Sequence, residues 1–290
     1  MSARSILMGM VFVALWSSAF ATARVIVAHA PPLSSLAIRF AISGLLAVLL
    51  ARALGQSFRL TRQQGLSVVV FGLCQNTLYL GLNFIALQWI EASLAVIIAA
   101  SMPLLVAALG WAFGGQKITF QTALGLTAGF LGVALIMGSR VTEGADPIGI
   151  LLCVIAAVAL AVATLTMGSA SSGGNLLMIV GLQMLAGSAA LAVVAAAIEP
   201  WHFDPNPAFF AAFLWQVLAP GLAATLLWFK LVSDIGTVRA AAFHFLNPAF
   251  GVLVAIVLLG ESVHWTDLIG IAITMVGILL VQRARIAASR

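Results

Sequence analysis

The chain has 290 residues, of which 63% are hydrophobic and only 7% are charged, and its net charge is +5. A soluble domain carries about 25% charged residues, so the composition excludes a soluble globular protein and indicates an integral membrane protein in a lipid bilayer. The 13 Lys and Arg residues are scattered singly, which argues against a nucleic-acid partner. The oligomeric state is left open by these numbers.

Ten runs of about 17–25 residues are apolar enough for membrane-spanning helices. The breaks between the runs carry Gly, Pro or polar residues, which are typical of turns. The first run exceeds the about 7–15 apolar residues of a signal peptide, so we interpret it as a span. The predicted spans are residues 6–28, 34–52, 65–86, 92–113, 121–138, 148–170, 176–198, 209–231, 239–259 and 266–282.

The basic residues divide unevenly between the two sides of these spans. With the N-terminus inside, most of the 13 fall in cytoplasmic segments, Arg140 falls in an outer loop, and Arg24 and Arg39 lie within spans. Because Lys and Arg favour the cytoplasmic side, both termini are predicted to be cytoplasmic. We favour snorkelling to the headgroups for Arg24 over capture of a substrate carboxylate, and both roles stay open for Arg39.

An internal repeat relates the segment that starts at Ser101 to the segment that starts at Leu246, at a constant offset of half the 290-residue length. The repeat predicts two halves, 1–145 and 146–290, of five spans each. Five is odd, so the second half must be inverted in the membrane relative to the first. Inverted repeats recur in secondary transporters, with the substrate site between the repeats near the bilayer midplane. The matched pairs are Pro103 with Pro248, Gly115 with Gly260, Gly125 with Gly270, Gly132 with Gly277 and Gln116 with Glu261.

The two ends of the chain resemble a known family. The stretch ALWSSAFATARVIVAHAPPLSSLAIRF (14–40) is similar to the opening of EamA-type members of the drug/metabolite transporter superfamily. The stretch LNPAFGVLVAIVLLGESVHWTDLIGIAITMVGILLV (246–281) resembles the last two spans of that family, including LGE at their junction. The resemblance implies a ten-helix exporter in the bacterial inner membrane, and the YddG-like aromatic amino acid exporters are the most similar group. Gln116 departs from the family pattern, which often has Glu there.

The third span carries polar residues on one helical face. Gly72, Asn76, Tyr79 and Asn83 stand at positions i, i+4, i+7 and i+11. Asparagine in contact with lipid is costly, so this face is predicted to point inward. We favour a cavity-lining, substrate-binding role for the two amides and the phenol, and the alternative is hydrogen bonding that holds helices together.

Aromatic and basic residues share a face of the first span. Trp16, Phe20 and Arg24 recur at i, i+4 and i+8. This stripe predicts either contact with lipid or an aromatic wall for a planar ligand, and we include Trp16 among the candidate substrate-binding residues.

The matched prolines predict a chamber between the two halves. Pro103 and Pro248 each lack the backbone donor for the carbonyl four residues earlier, and each follows a polar residue, Ser101 or Asn247. These features, with His244, are expected to face the chamber and to contact a substrate ammonium, with the prolines as hinges. The alternative is a pair of kinks that only shape the helix bundle.

The remaining sequence features favour transport over catalysis. Cys74 and Cys153 lie within apolar runs, and no Cys or His spacing indicates a metal or cofactor site. A lone His244 does not make an enzyme's active site, and no Walker-type motif for ATP is present. We predict secondary transport by alternating access of a small amphipathic metabolite such as an amino acid. Export of other metabolites or drugs, and a passive channel, are the alternatives.

Overall fold

The computed structural model of the protein describes residues 2–113, 115, 119–166, 175–235, 240 and 242–288, so Gln116 lies outside the described residues. Within these ranges the regular structure is helical and no β-strand is present. The helices, numbered in chain order, are Ala3–Val27 (α1), Pro32–Ala53 (α2), Arg62–Ala86 (α3), Ala92–Ala112 (α4), Phe120–Thr142 (α5), Pro147–Thr166 (α6), Leu176–Ile198 (α7), Pro207–Gln216 continued by Val217–Ala223 and Ala224–Ile235 (α8), Asn247–Leu259 (α9) and Trp265–Ala288 (α10).

Most of these helices are long and apolar enough to cross a membrane. In the described residues eight candidates meet that condition, whereas the apolar parts of α6 and α9, Pro147–Val162 and Phe243–Leu259, are shorter. The protein is therefore an all-helical, multi-pass membrane protein. The helices occupy the positions of the predicted spans, but the count of ten crossings stays a prediction because two of the ten fall short of the usual span length.

The helix ends follow from local sequence chemistry. Thr61 and Gln64 form a reciprocal capping box at the start of α3, and Asn206 accepts a hydrogen bond from the first turn of α8. Proline begins α2, α6 and α8, where its missing N–H would have had no partner within the helix. Gly260 ends α9 with φ of 69°, a left-handed conformation that glycine adopts without steric cost.

Two helix pairs pack with the most extensive contact, α5 with α10 and α2 with α7. Both pairs join a helix to its counterpart in the other repeat, as a two-fold relation between the halves requires. The matched glycines explain the close approach of α5 and α10. A Cβ built on Gly125 would lie 2.8 Å from the carbonyl oxygen of Gly277, and one built on Gly132 would lie 2.7 Å from that of Gly270. Small residues at such contacts let membrane helices come together.

Four interruptions of helical geometry occur at equivalent places in the two halves. α3 contains a π-helical segment, Gly72–Tyr79, and α8 contains another, Val217–Ala223, whose start is offset by the repeat distance. α4 breaks at Ser101, before Pro103. A 3₁₀ turn, Ala242–Leu246, comes directly before α9, and Pro248 is the second residue of that helix. π-helical turns and proline breaks change how side chains and carbonyls are presented, and both recur at functional sites.

The two ends of the helix bundle can be distinguished by the contacts of their connecting segments. At one end Glu199 accepts hydrogen bonds from the backbone of Leu33 and Ser34, at 2.6 and 2.8 Å. Glu261 does the same for the start of α4, at 2.7 and 2.9 Å. Negative carboxylates at helix N-termini are favourable. We call this the acidic end, and the opposite end, which carries the start of α1, the basic end.

Candidate functional site

Four aromatic rings from α1, α8 and the start of α9 meet in the half of the bundle nearer the basic end. Phe12 lies 5.2 Å from both Trp228 and His244, measured between ring centroids. Trp228 lies 4.9 Å from His244, and Trp16 lies 6.0 Å from it. These separations are those of interacting aromatic pairs. We call Phe12, Trp16, Trp228 and His244 the aromatic cluster.

A polar group adjoins the aromatic cluster. The side-chain nitrogen of Asn247 lies 3.0 Å from Nδ1 of His244, and the hydroxyl of Ser17 donates to the carbonyl of Asn247 at 3.4 Å. The side-chain oxygen of Asn247 is buried and has no hydrogen-bond partner among the described residues. A buried acceptor without a donor is costly, so it is a site where a ligand's donor would be favoured. The structure thus brings three predicted residues together: Trp16, His244 and Asn247.

The predicted stripe on α3 is divided between different neighbours. The amide of Asn76 donates to the carbonyl of Gln183 in α7 at 2.9 Å, so it holds α3 against α7. Asn83 donates to the carbonyl of Tyr79 at 2.7 Å and accepts from the thiol of Cys153 in α6 at 3.2 Å. Asn76, Tyr79 and Asn83 are all buried. The side-chain amides of Asn76 and Asn83 make hydrogen bonds that hold helices together, which was the alternative to a cavity-lining role.

Ser101 and the prolines lie at the breaks in α4 and α9. The hydroxyl of Ser101 donates to the carbonyl of Ile98 at 2.6 Å within its own helix, which satisfies it locally. Pro103 and Pro248 both stand in the first turn of the helical piece that follows each break. The breaks that the prolines predicted are therefore present, and each is a position where a helix can bend.

A polar contact that the sequence left open lies between α2 and α8. The guanidinium of Arg39 is buried, with 5% of the residue exposed, and its Nε donates to the backbone carbonyl of Gln216 at 3.3 Å. Pro220 stands four residues after Gln216 and cannot supply the N–H that an α-helix would direct to this carbonyl. Arg39 is thus held in the interior by a backbone carbonyl of α8, and it does not snorkel. The signal in the sequence was Pro220 within the eighth span.

An ion network ties α5 to α10 and α4 at the acidic end. Arg140 bonds Asp267 through two nitrogens, at 2.6 and 3.2 Å, and Glu91 at 2.8 Å. Arg140 is buried in the last turn of α5, whereas the sequence placed it in a loop. Burial raises the pKa of Glu91, and the charge of Arg140 opposes that rise. Charge-assisted, two-point contacts of this kind are strong, so the network fixes these helix ends.

A pocket opens at the acidic end between α1, α9 and two loops. Its volume is about 610 Å³, within the range of sites for small molecules. We call it the outer pocket. The groups that line it include Arg24, His29, Gln88, Trp89, His202 and Leu259.

The first helix links the two features. Trp16 belongs to the aromatic cluster and Arg24 lines the outer pocket, and Phe20 lies between them on the same helical face. Eight residues of α-helix span about 12 Å, so the two features are separated along the bundle by roughly that distance. No group of three or more His, Cys, Asp or Glu residues in the described part of the chain could hold a metal ion.

The family model of the EamA-like transporter family matches this chain twice, over residues 3–138 and 147–283. The chain belongs to the EamA-like transporter family. This membership makes it a membrane transporter, and members of this family are in general not enzymes.

Relatives of the chain span nearly its whole length. An uncharacterized transporter of Bacillus subtilis (strain 168), YvbV, is 27% identical, over 93% of this chain and 88% of its own. An uncharacterized transporter of Archaeoglobus fulgidus is 25% identical over 94% and 96%. A WAT1-related chloroplastic protein of Arabidopsis thaliana is 24% identical over 92% and 66%. A crystal structure with a TM-score of 0.68 and 20% identity covers 100% of both chains and shows the fold of this EamA-like protein.

Proposed function

We propose that this EamA-like transporter exports small amphipathic metabolites, chiefly amino acids including aromatic ones, across the cytoplasmic membrane. The observation that carries this proposal is the aromatic cluster beside the unpartnered side-chain oxygen of Asn247. Ring faces attract both planar apolar groups and cations, and a buried carboxamide oxygen accepts a hydrogen bond from an ammonium. An aromatic amino acid carries both kinds of group. This chemistry supports the YddG-like aromatic amino acid exporters as the subgroup.

The transport mechanism that we propose is alternating access between two inverted halves, 1–145 and 146–290. The extensive α5–α10 and α2–α7 contacts each join one half to the other, and the equivalent breaks at Pro103 and Pro248 provide hinges. Ten crossings, cytoplasmic termini and the inner membrane complete the proposal. The orientation is supported by the excess of Lys and Arg in the segments predicted to be cytoplasmic.

Reconstitution into liposomes tests the substrate. We expect saturable flux of L-phenylalanine and L-tryptophan, and about a tenfold loss of flux in Trp16→Ala and in Asn247→Ala. Trp111→Ala is the control, because Trp111 lies near the end of α4 and is 56% exposed. Equal flux in the wild type and in both site variants would move the site away from the aromatic cluster. Ser101, Tyr79, Asn76, Asn83 and His244 are tested by alanine substitution in the same assay.

Two further measurements separate the mechanisms. Counter-substrate on the far side should stimulate flux in a carrier, whereas flux through a channel rises with concentration without saturation. A bifunctional maleimide that joins Ala28→Cys in the first half to Leu259→Cys in the second half, in a background without Cys74 and Cys153, should block flux across the outer pocket. Undiminished flux after complete cross-linking would contradict alternating access. Uptake of lipophilic cations or nucleosides in place of amino acids would assign the protein to export of drugs or other metabolites.

A further inference from the structure

The outer pocket holds a cation that the protein itself leaves largely uncompensated. Arg24 is half-buried there, and its Nη1 donates a hydrogen bond to the carbonyl of Leu87. Within the described residues no Asp or Glu lies within ion-pair distance of its guanidinium. A guanidinium has five N–H donors, so most of its donors are available to a ligand. Arg140, at the same end of the bundle, is by contrast saturated by Asp267 and Glu91.

The acidic end has carboxylates in abundance, yet each of them is engaged elsewhere. Glu199 and Glu261 bind helix N-termini. Asp146 caps α6, and Glu143 lies 3.0 Å from His264. Asp204 contacts His29 at 3.0 Å and is 69% exposed at its side chain. The carboxylates at this end therefore bind helix N-termini or other side chains, and none of them pairs with Arg24.

The surroundings of Arg24 suit an oxyanion attached to an apolar group. His29, His202 and Gln88 add N–H donors to the pocket, and Trp89 and Leu259 give it apolar wall. Nδ1 of His29 lies 3.0 Å from a carboxylate oxygen of Asp204 and 2.8 Å from the side-chain nitrogen of Asn206. Arginine is well suited to a carboxylate, because its planar fork can bind both oxygens at once.

We propose that the outer pocket is a second ligand site, in which Arg24 binds the carboxylate of the exported metabolite at the acidic end of the bundle. The inference rests on the proposed function and deepens it, since it assigns the carboxylate and the ammonium of one substrate to different stages of its path. The ammonium and ring are bound at the aromatic cluster, and the carboxylate is bound about 12 Å further along α1. A metabolite that lacks a carboxylate is therefore bound poorly in the outer pocket.

Binding measurements test the site without any need for transport. The protein is placed in nanodiscs of phosphatidylcholine, which carries no net charge, and is titrated with 3-phenylpropionate and with 3-phenylpropionamide. We expect the acid to bind at least tenfold more tightly than the amide. Arg24→Gln should remove that preference, and Arg24→Lys should restore part of it through charge alone. Arg59→Gln is the control, because Arg59 is exposed at the basic end.

The outcome of the titration decides whether the outer pocket binds the carboxylate of a substrate. Equal binding of acid and amide by the wild type, or an unchanged preference in Arg24→Gln, would overturn the proposal. A lipid headgroup could supply the same oxyanion chemistry, so the titration is repeated in phosphatidylglycerol at equal ionic strength. Loss of the acid's binding there would assign the pocket to the lipid phosphate and overturn the substrate site.

Different results would contradict the proposed function and the proposed ligand site in the outer pocket. Preference for the acid in nanodiscs without amino acid flux in liposomes would support the pocket and contradict the proposed substrate. Amino acid flux without any preference for the acid would support the proposed function and contradict the pocket. Circular dichroism of every variant confirms that the helices are intact before either result is interpreted.

Discussion

Replacing Gly277 by alanine should separate α5 from α10 and destabilise the protein. Gly277 lies where these two helices cross, opposite Gly125 and Gly129. A Cβ at this position would lie 2.5 Å from the backbone nitrogen of Gly129 and 2.6 Å from the carbonyl oxygen of Gly125. Both neighbours are backbone atoms of a helix, so neither can rotate away as a flexible side chain would.

The size of the effect follows from these distances. Ordinary contact for a Cβ begins near 3.4 Å, so the helices would have to move apart by about 0.9 Å at the crossing. A gap of that size forfeits about a quarter to a half of the dispersion energy of the atoms it separates. Overpacking of this kind typically costs about 1–3 kcal/mol. We expect the free energy of unfolding to fall by about that amount.

The assay is reversible unfolding in mixed micelles as the mole fraction of dodecyl sulfate is raised, followed by far-ultraviolet circular dichroism. Gly138→Ala is the matched control, because Gly138 lies on α5 and has nothing within 4 Å of a Cβ. Alanine has the higher helix propensity, so the control should be unchanged or more stable by up to about 1 kcal/mol. Equal unfolding curves for the two variants would refute a close crossing of α5 and α10 at Gly277.

Two further substitutions test the buried polar contacts. Asp267→Asn should lower the free energy of unfolding by about 3–5 kcal/mol, because Asp267 is 1% exposed and its loss strands the guanidinium of Arg140. Glu143→Gln, at 39% side-chain exposure and 3.9 Å from Arg140, should change it little, and comparable losses would contradict this assignment.

Some contacts of the candidate site could be predicted from the sequence, and others could not. The pairing of Pro103 with Pro248 and the resulting breaks followed from the repeat, because a proline perturbs its own helix wherever that helix packs. His244 and Asn247 were expected to face the chamber between the halves, whereas the contact of Trp16 with His244 was found only in the structure. Phe12 was missed, although it stands one helical turn before Trp16 and could have been found from that spacing.

The roles of the polar residues depended on contacts between distant segments. Asn76 was expected to line a cavity, and the structure shows that its amide donates to the backbone carbonyl of Gln183 in α7. Arg24 and Arg140 have the same side chain and both lie near the acidic end of the bundle, yet of the two only Arg140 has carboxylate partners, Asp267 and Glu91. Whether a carboxylate lies near each arginine depends on the rotation of each helix about its axis and on the distance between helices. Neither is a property of a single segment of the sequence.

The sequence by itself determined that the protein is a helical membrane protein and where its helices lie, and it predicted how the two halves correspond. Hydropathy is a property of each residue that adds along a segment, and a duplication leaves its offset in the order of glycines and prolines. Only the tertiary structure decided which buried polar groups of the described residues are paired and which lack a partner. That outcome depends on packing across the two halves, where the glycines of α5 and α10 set the distance and the partners of each polar side chain follow from it.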